Sequence, residues 1–362
     1  MDDSERRIVD GTSWAEFCDS LKRAGNVVLD ERVPMDPFLR AEGYRYLTRL
    51  LRGAFESFVE DGDPQAPELQ RVAHETVKMG ADNPDNHYLS APVSGKYTYR
   101  IRGKRGTVHY LGFGTQEGSY GATGSLDTVG YLDDAQLKLE PDGSFEIALS
   151  VEPQPGNWLR MSPKTRTLVV RQSFLDKSKE TRADLVIERT DGPHQPRPVS
   201  AQTMDRTLIS SAKFVEGCSK LFLDWTAGFR ARPNELPRFD PGVAERAGGV
   251  PNIAYYHGYW QLGPDEALVI EVTPPPCDYW NFQLNNFWME SLDYRYFQIS
   301  VNNGTAKLEP DGSVRVIVAH EDPGKGNWID TCGHELGTMC WRWVRATEQP
   351  APQTRVVRWD EL

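Results

Sequence analysis

The chain has 362 residues, enough for two cores of ordinary size, and carries 41 Lys and Arg against 52 Asp and Glu, a formal net charge of -11. No Lys/Arg run could track a phosphate backbone, no stretch is apolar for long enough to span a bilayer, and Met1 to Arg7 contain no apolar leader segment, so neither nucleic acid nor membrane is an expected partner. Five cysteines, at 18, 218, 277, 332 and 340, follow no metal or disulfide spacing and suit reduced thiols, which makes the cytoplasm the expected location.

Ser13 and Glu16 read as a capping box ahead of a helical stripe of Trp14, Phe17, Cys18 and Leu21, stopped at Gly25. Asp36 and Pro37 open a second helix whose stripe is Tyr44, Leu47, Leu51, Phe55 and Phe58, ending at Gly62. The texture changes near residue 83. Short alternating segments follow, at 97–102, 107–113, 144–151 and 166–172, punctuated by Gly, Pro and Asp, which predicts antiparallel β-structure to about residue 190. A Pro-rich stretch, 191–200, reads as a linker. Beyond it a helix over 204–229 is expected to bury Leu208, Val215, Leu221, Phe222 and Trp225, and a second β-region follows from about 251 to 346. Residues 1–82 are expected to be an N-terminal helical segment, 191–250 linker and long helix, and 347–362 a tail.

The two β-regions repeat one another. Lys138-Leu139-Glu140-Pro141-Asp142-Gly143-Ser144 returns as Lys307-Leu308-Glu309-Pro310-Asp311-Gly312-Ser313, and Gly156-Asn157-Trp158 returns as Gly326-Asn327-Trp328. The predicted fold is therefore mainly β with helices: two jelly-roll-like antiparallel sandwiches, each preceded by a long helix. No βαβ rhythm, Gly-rich dinucleotide fingerprint or Walker loop points to a nucleotide fold.

Within the second copy, the run from Asn252 to Leu262, Asp278-Tyr279-Trp280-Asn281-Phe282-Gln283-Leu284, Glu290-Ser291-Leu292-Asp293-Tyr294 and His320-Glu321-Asp322-Pro323 occur in order. Gly326 to Asp330 and Gly333-His334 complete the series, which covers about 250–345 and resembles the bacterial family called domain of unknown function 1214. The resemblance implies a jelly roll and brings no reaction with it. The first half resembles a diverged copy of the same module.

One copy serves as a control on the other. Aligned on the Lys-Leu-Glu-Pro-Asp-Gly turn, Phe145, Ile147, Leu149 and Val151 share a strand face and correspond to Val314, Val316, Val318 and His320. An imidazole thus replaces a valine. Past the Gly-Asn-Trp turn the alignment sets Asp330 against Arg160, His334 against Lys164 and Arg342 against Gln172, and places Arg342 on the core-facing parity of Leu168 and Val170. His320, Asp322, Asp330, His334 and Arg342 are accordingly the candidate catalytic set, with a histidine as acid or base, an aspartate orienting it and Arg342 holding negative charge. Two readings stay open: a site, or a satisfied internal network in which the aspartates cap turns. A divalent metal on the two histidines and two aspartates is a weaker option, since their spacing fits no strong signature, and no cofactor is expected.

Aromatics crowd the second module, and Asn281, Gln283 and Asn285 form a row of amides on one strand face. His257, Trp260, Trp280, Asn281, Gln283 and Trp288 are the candidate substrate-binding residues, suited to a sugar-like or cyclic molecule. The expected function is a cofactor-free hydrolase or lyase acting on such a molecule; the alternative is a non-catalytic binding protein using the same pocket.

Overall fold

The computed structural model describes residues 1–121 and 123–362. Two compact units divide it: Met1–Val77 with Asn86–Leu221 and Arg246–Gly248, and Lys78–Asp85 with Phe222–Glu245 and Gly249–Leu362. In the first, three helices, α1 (Asp3–Val9), α2 (Thr12–Ala24) and α3 (Pro37–Phe55), precede strands β1 (Asn86–Pro92), β2 (Tyr99–Lys104), β3 (Tyr110–Ser119), β4 (Ser125–Asp133), β5 (Ser144–Ser150), β6 (Trp158–Arg160), β7 (Thr167–Ser173) and β8 (Asp184–Arg189). Helix α4 (Ala201–Phe229) and the short α5 (Pro241–Arg246) lead to β9 (Ile253–Gln261), β10 (Glu266–Val272), β11 (Tyr279–Asn285), β12 (Ser300–Asn302), β13 (Val314–Ala319), β14 (Asn327–Asp330), β15 (Leu336–Val344) and β16 (Gln353–Arg358).

Helix starts follow local chemistry, with one correction. Asp36 caps α3 by accepting from the Leu39 amide at 2.8 Å, with Pro37 in the first turn, as expected. The capping box, however, is formed at α1 by Asp2 and Glu5, not at α2 by Ser13 and Glu16. Ser13 is buried and donates its hydroxyl to Asp205 at 2.6 Å, while Glu16 is paired with Arg7. Both side chains found tertiary partners, and these outcompete a local cap. Phe17 and, on α4, Leu208 and Ala212 form a small apolar cluster that seats α2 on α4 within the first unit.

Each unit holds a sandwich of two four-stranded sheets, β4-β3-β7-β1 with β6-β5-β2-β8 and β12-β11-β15-β9 with β14-β13-β10-β16. The strand orders are the same, strand for strand, and the chain shuttles between the sheets in the manner of a jelly roll. All pairings are antiparallel except β5 with β6 and β13 with β14. The C-terminal segment, expected to be a tail, contributes the edge strand β16, paired with β10, just as β8 pairs with β2.

The repeated turns are built identically because their bonds are local. Asp142 accepts from the amide and hydroxyl of Ser144 at 3.0 and 2.6 Å, and Asp311 from those of Ser313 at 2.9 and 2.7 Å. Gly143 and Gly312 sit at φ +78 and +82, a region that only glycine enters cheaply. Asn157 bonds both backbone groups of Lys138 and the carbonyl of Glu146, and Asn327 does the same with Lys307 and Arg315.

The core of each module lies between its sheets. In the first, Ile101, Phe145, Ile147, Leu149, Leu168 and Val170 are buried there; in the second, Leu268, Ile270, Val316, Val318, Phe282, Met339, Trp341 and Trp343. Each such side chain contributes about 1.5–3 kcal/mol on burial. Met339 and Trp341 therefore stand where Leu168 and Val170 do. The chain between Trp328 and Thr338 is one residue longer than between Trp158 and Thr167, and this shifts the sequence-based alignment by one. Arg342 corresponds to Arg171, not to Gln172, and it faces away from the inter-sheet core.

Candidate functional site

The outer face of the second module's β12-β11-β15-β9 sheet carries an array of nine side chains in register. Tyr255 lies opposite Arg342 and Asn281, His257 opposite Cys340 and Gln283, and Tyr259 opposite Thr338 and Asn285. The corresponding rows of the first module are Tyr88, Arg171 and Gly112; Ser90, Val169 and Gly114; and Pro92, Thr167 and Gln116. Where the second copy presents the amides of Asn281 and Gln283, the first presents glycine.

The array is buried except at Tyr255, which is half-buried. Arg342, 6% exposed, donates to Gln283 Oε1 at 2.5 Å, to Asn281 Oδ1 at 3.3 Å and to the Ala81 carbonyl. Gln283 donates to the Asp82 carbonyl at 2.9 Å and to Asn285 Oδ1 at 2.6 Å. Residues 78–85 thus roof one part of the sheet. Asp82 accepts from the amide and hydroxyl of Ser291, and the buried Lys78 ammonium donates to the carbonyls of Ser291 and Leu292 at 2.7 and 2.8 Å. Tyr279 donates to Asp85 at 2.6 Å, and burial followed by that carboxylate pushes its phenol well above its usual range. These groups form a satisfied polar layer, because a charge or amide removed from water must find partners. In this part of the sheet the structural reading of the cluster prevails.

The β9 edge is different. The chain after α4 runs along it: Asn234 N donates to the Tyr259 carbonyl at 2.7 Å and Phe239 N to that of Tyr255 at 2.8 Å. The approach is so close that a Cβ on Gly258 would meet the Glu235 carbonyl. Phe239 is thereby set against His257, ring centroids 5.0 Å apart and nearly perpendicular. Tyr255 and Phe229 lie parallel to the imidazole at 5.9 and 5.5 Å, and Trp225 is tilted at 6.2 Å. His257 is 5% exposed; burial first, then the charge of Arg342, lowers its pKa to about 3, so the ring is neutral at physiological pH. Its Nε2 is 3.9 Å from Cys340 Sγ, and Nδ1 has no hydrogen-bond partner among the described residues. Beside this box opens a cleft of ≈ 240 Å³ whose walls include Phe239, Tyr255, Ile253, Arg238, Glu245 and Gln349.

The five candidate catalytic residues do not form one constellation. His320 follows β13, half-buried, with Nδ1 2.9 Å from the Thr331 hydroxyl and Nε2 3.2 Å from the Gly263 carbonyl; neither partner is a carboxylate. Asp322 is exposed and caps a turn by accepting from Gly324 N, and Asp330 accepts from Cys332 N. His334 is buried and donates from Nδ1 to the carbonyls of Thr331 and Cys332 at 2.9 and 3.1 Å. Thr331 therefore links the two histidines at the end of the sandwich, while Arg342 belongs to the outer face of a sheet. Among the candidate binding residues, His257, Asn281 and Gln283 lie in the array. Trp260 and Trp280 point the other way, into the inter-sheet core, where Trp280 stacks on Trp341 at 4.9 Å. Alternation along β9 and β11 decides this. Trp288 is buried in the turn after β11, its amide donating to Asn286 Oδ1.

Sequence reasoning missed Phe229, Phe239, Cys340 and the roof residues Ala81 and Asp82. The roof residues, Phe229 and Phe239 lie outside the repeated β-module, and no local pattern announces which strand they will cover. Among the described residues no group of three or more His, Cys, Asp or Glu is placed to hold a metal, no two cysteines are bonded, and no helix is long and apolar enough to cross a membrane.

A duplicated two-sheet sandwich with a polar array on one outer face defines the class of this chain. Comparison names the family. The model described as "Protein of unknown function (DUF1214)" matches twice, at residues 87–172 and 265–347, so both modules are recognised and the chain belongs to the DUF1214 family. An uncharacterized protein from Burkholderia cenocepacia, known as a crystal structure, is 51% identical, with 99% of each chain covered and a TM-score of 0.97. The VPA0106 protein from Vibrio parahaemolyticus is 12% identical over 87% of this chain and 98% of its own, with a TM-score of 0.50, a likeness of fold alone. No curated protein matches the chain.

Proposed function

We propose that this protein binds a small, ring-bearing organic molecule without transforming it, in the cleft beside β9 of the second module. The observation that carries the reading is the cleft itself. Phe239 and Tyr255 supply flat apolar walls, and Arg238, Glu245 and Gln349 supply polar groups that can orient a ligand. At ≈ 240 Å³ it is smaller than the ~300–1,000 Å³ typical of drug-sized ligands, which suits a single substituted ring.

A cofactor-free hydrolase or lyase would need a histidine oriented by a carboxylate and open to substrate. Both nitrogens of His320 are engaged by Thr331 and Gly263, and His334 is buried with Nδ1 on two carbonyls, so the geometry favours binding over catalysis. The reading invokes no metal, cofactor, nucleic acid or membrane. Five free cysteines accord with a reducing cytoplasm.

The test is a thermal-shift screen of simple sugars, monoterpenoids and phenols against the full chain. At least one class should raise Tm in the wild type, by the linkage of binding to folding, and lose that effect in Tyr255→Ala. A screen in which no ring compound shifts Tm, or in which Tyr255→Ala responds like wild type, would sink the reading.

A further inference from the structure

We infer that His257 is a ligand-contacting residue of this cleft, and that the ligand it takes is a neutral planar ring bearing a hydroxyl, a phenol or a close equivalent. The inference rests on the binding reading above and adds the chemistry of the ligand.

Three observations carry it. The first is that His257 is buried to 5% exposure while its Nδ1 finds no partner among the described residues. A buried polar atom left unmatched is costly, and one inside a well-packed family of side chains calls for an explanation. The first module has Ser90 at this register position, so the scaffold does not require an imidazole.

The second is the tautomer. The thiol of Cys340 has its own acceptor, the Trp341 carbonyl at 3.8 Å, which leaves the sulfur lone pairs facing His257 Nε2 at 3.9 Å. We take the imidazole proton to lie on Nε2, directed at sulfur, the tautomer that matches a thiol donating to the Trp341 carbonyl; Nδ1 is then a bare acceptor. Cys340 acts as a positioning residue. The complementary ligand group is therefore a donor, O–H or N–H.

The third is the company that the imidazole keeps. Tyr255, Phe229, Phe239 and Trp225 surround it, and Tyr255 and Phe239 are also walls of the cleft. Two aromatic side chains are thus shared by the open cleft and the closed box. His257 is not itself a wall of the cleft, so a ligand seated there reaches the imidazole only where Tyr255 or Phe239 turns aside. A flat ring fits between such walls. The fixed charge of Arg342, next to Cys340 on the same face of β15, disfavours a cationic ligand.

The experiment uses the full chain with 4-methylphenol and toluene, a pair that differs by the hydroxyl. In the wild type 4-methylphenol should bind about threefold to tenfold more tightly than toluene, the yield of one added hydrogen bond. In His257→Phe, which keeps an aromatic ring in the box, toluene should bind as before and the preference should vanish. In case that variant does not fold, ¹⁵N NMR of the wild type reads the same contact: 4-methylphenol, and not toluene, should move the His257 Nδ1 resonance. Equal binding of the two probes, a preference that survives in His257→Phe, or an unmoved Nδ1 resonance with 4-methylphenol bound, as for an Nδ1 that keeps a water of its own, would overturn the role of His257 while leaving the cleft as a binding site. Failure of both probes to bind overturns this inference; failure of the whole ring-compound screen overturns the binding reading as well.

Discussion

Arg342 of the second module and Arg171 of the first occupy the same register position, each opposite a tyrosine of the edge strand, Tyr255 or Tyr88. Their other neighbours differ: Arg342 faces Asn281, and Arg171 faces Gly112. Deprived of an amide there, Arg171 donates to the Gly248 carbonyl at 2.7 Å. The specialisation of the second module thus lies in the amides and in His257 rather than in the arginine, and it determines where each substitution should be felt.

Replacing Arg342 by Leu strips three acceptors, on Asn281, Gln283 and Ala81, of a common donor inside a buried layer. The expected loss is about 2–4 kcal/mol of unfolding free energy, against about 1 kcal/mol for Arg171→Leu at its half-buried site. Urea unfolding of the two variants measures this directly. Equal losses would mean that the two arginines serve the same purpose.

Part of the acid sensitivity should trace to His257, beside the part due to His87, whose pKa burial lowers to about 4. The folded pKa of His257 is lowered to about 3 from 6.5, so between those values the unfolded chain binds a proton that the folded protein refuses. The stabilisation is present in full above pH 6.5 and is lost as pH falls toward 3. At pH 4.5 the wild type should have lost about 2–3 kcal/mol from this group relative to pH 7.5, and His257→Phe should lack that part of the decline. Parallel stability–pH curves for the two proteins would contradict the assignment.

His320→Val restores the residue type of the first copy at the end of β13. It removes bonds to Thr331 and Gly263, and at this half-buried position the cost should be about 1–2 kcal/mol, with ligand binding at the β9 cleft unchanged. Thr331→Val should cost a similar amount, and the double variant less than the sum, because both singles break one interaction. A loss of binding in His320→Val would move the functional site to this end of the sandwich.

Asn327→Ala should be among the more damaging substitutions in the second module. It leaves both backbone groups of Lys307 and the carbonyl of Arg315 without their partner, at a position only 8% exposed. A loss of about 2–3 kcal/mol is expected, and a smaller one for Asn157→Ala, whose equivalent bonds are more open to water. Denaturant midpoints for the pair provide the check; a greater loss at Asn157 would contradict the burial argument.

The duplication, the sandwich and the two sets of turns were legible in the chain because their causes are local. An aspartate that bonds the serine two residues on, a glycine at positive φ and an alternation of apolar residues all act within a few positions. The same locality explains which site residues were legible. Asn281 and Gln283 share a strand, and their spacing alone places them on one face, whereas Trp260 and Trp280, equally conspicuous by type, turned out to be core.

What the chain by itself determined is thus the repeated module and the strand faces within it. Tertiary structure alone decided which face was covered by remote segments and became the candidate site. A single extra residue between Trp328 and Thr338 reverses the faces of β15 relative to the simple alignment, and moves Arg342 from the expected core to the outer array. Residues 78–85 and 233–239 are remote in sequence from β11 and β15, yet they cover the array and enclose His257. Contacts of that kind depend on long-range register and on which strand edge remains free, and no periodicity within the segment records either.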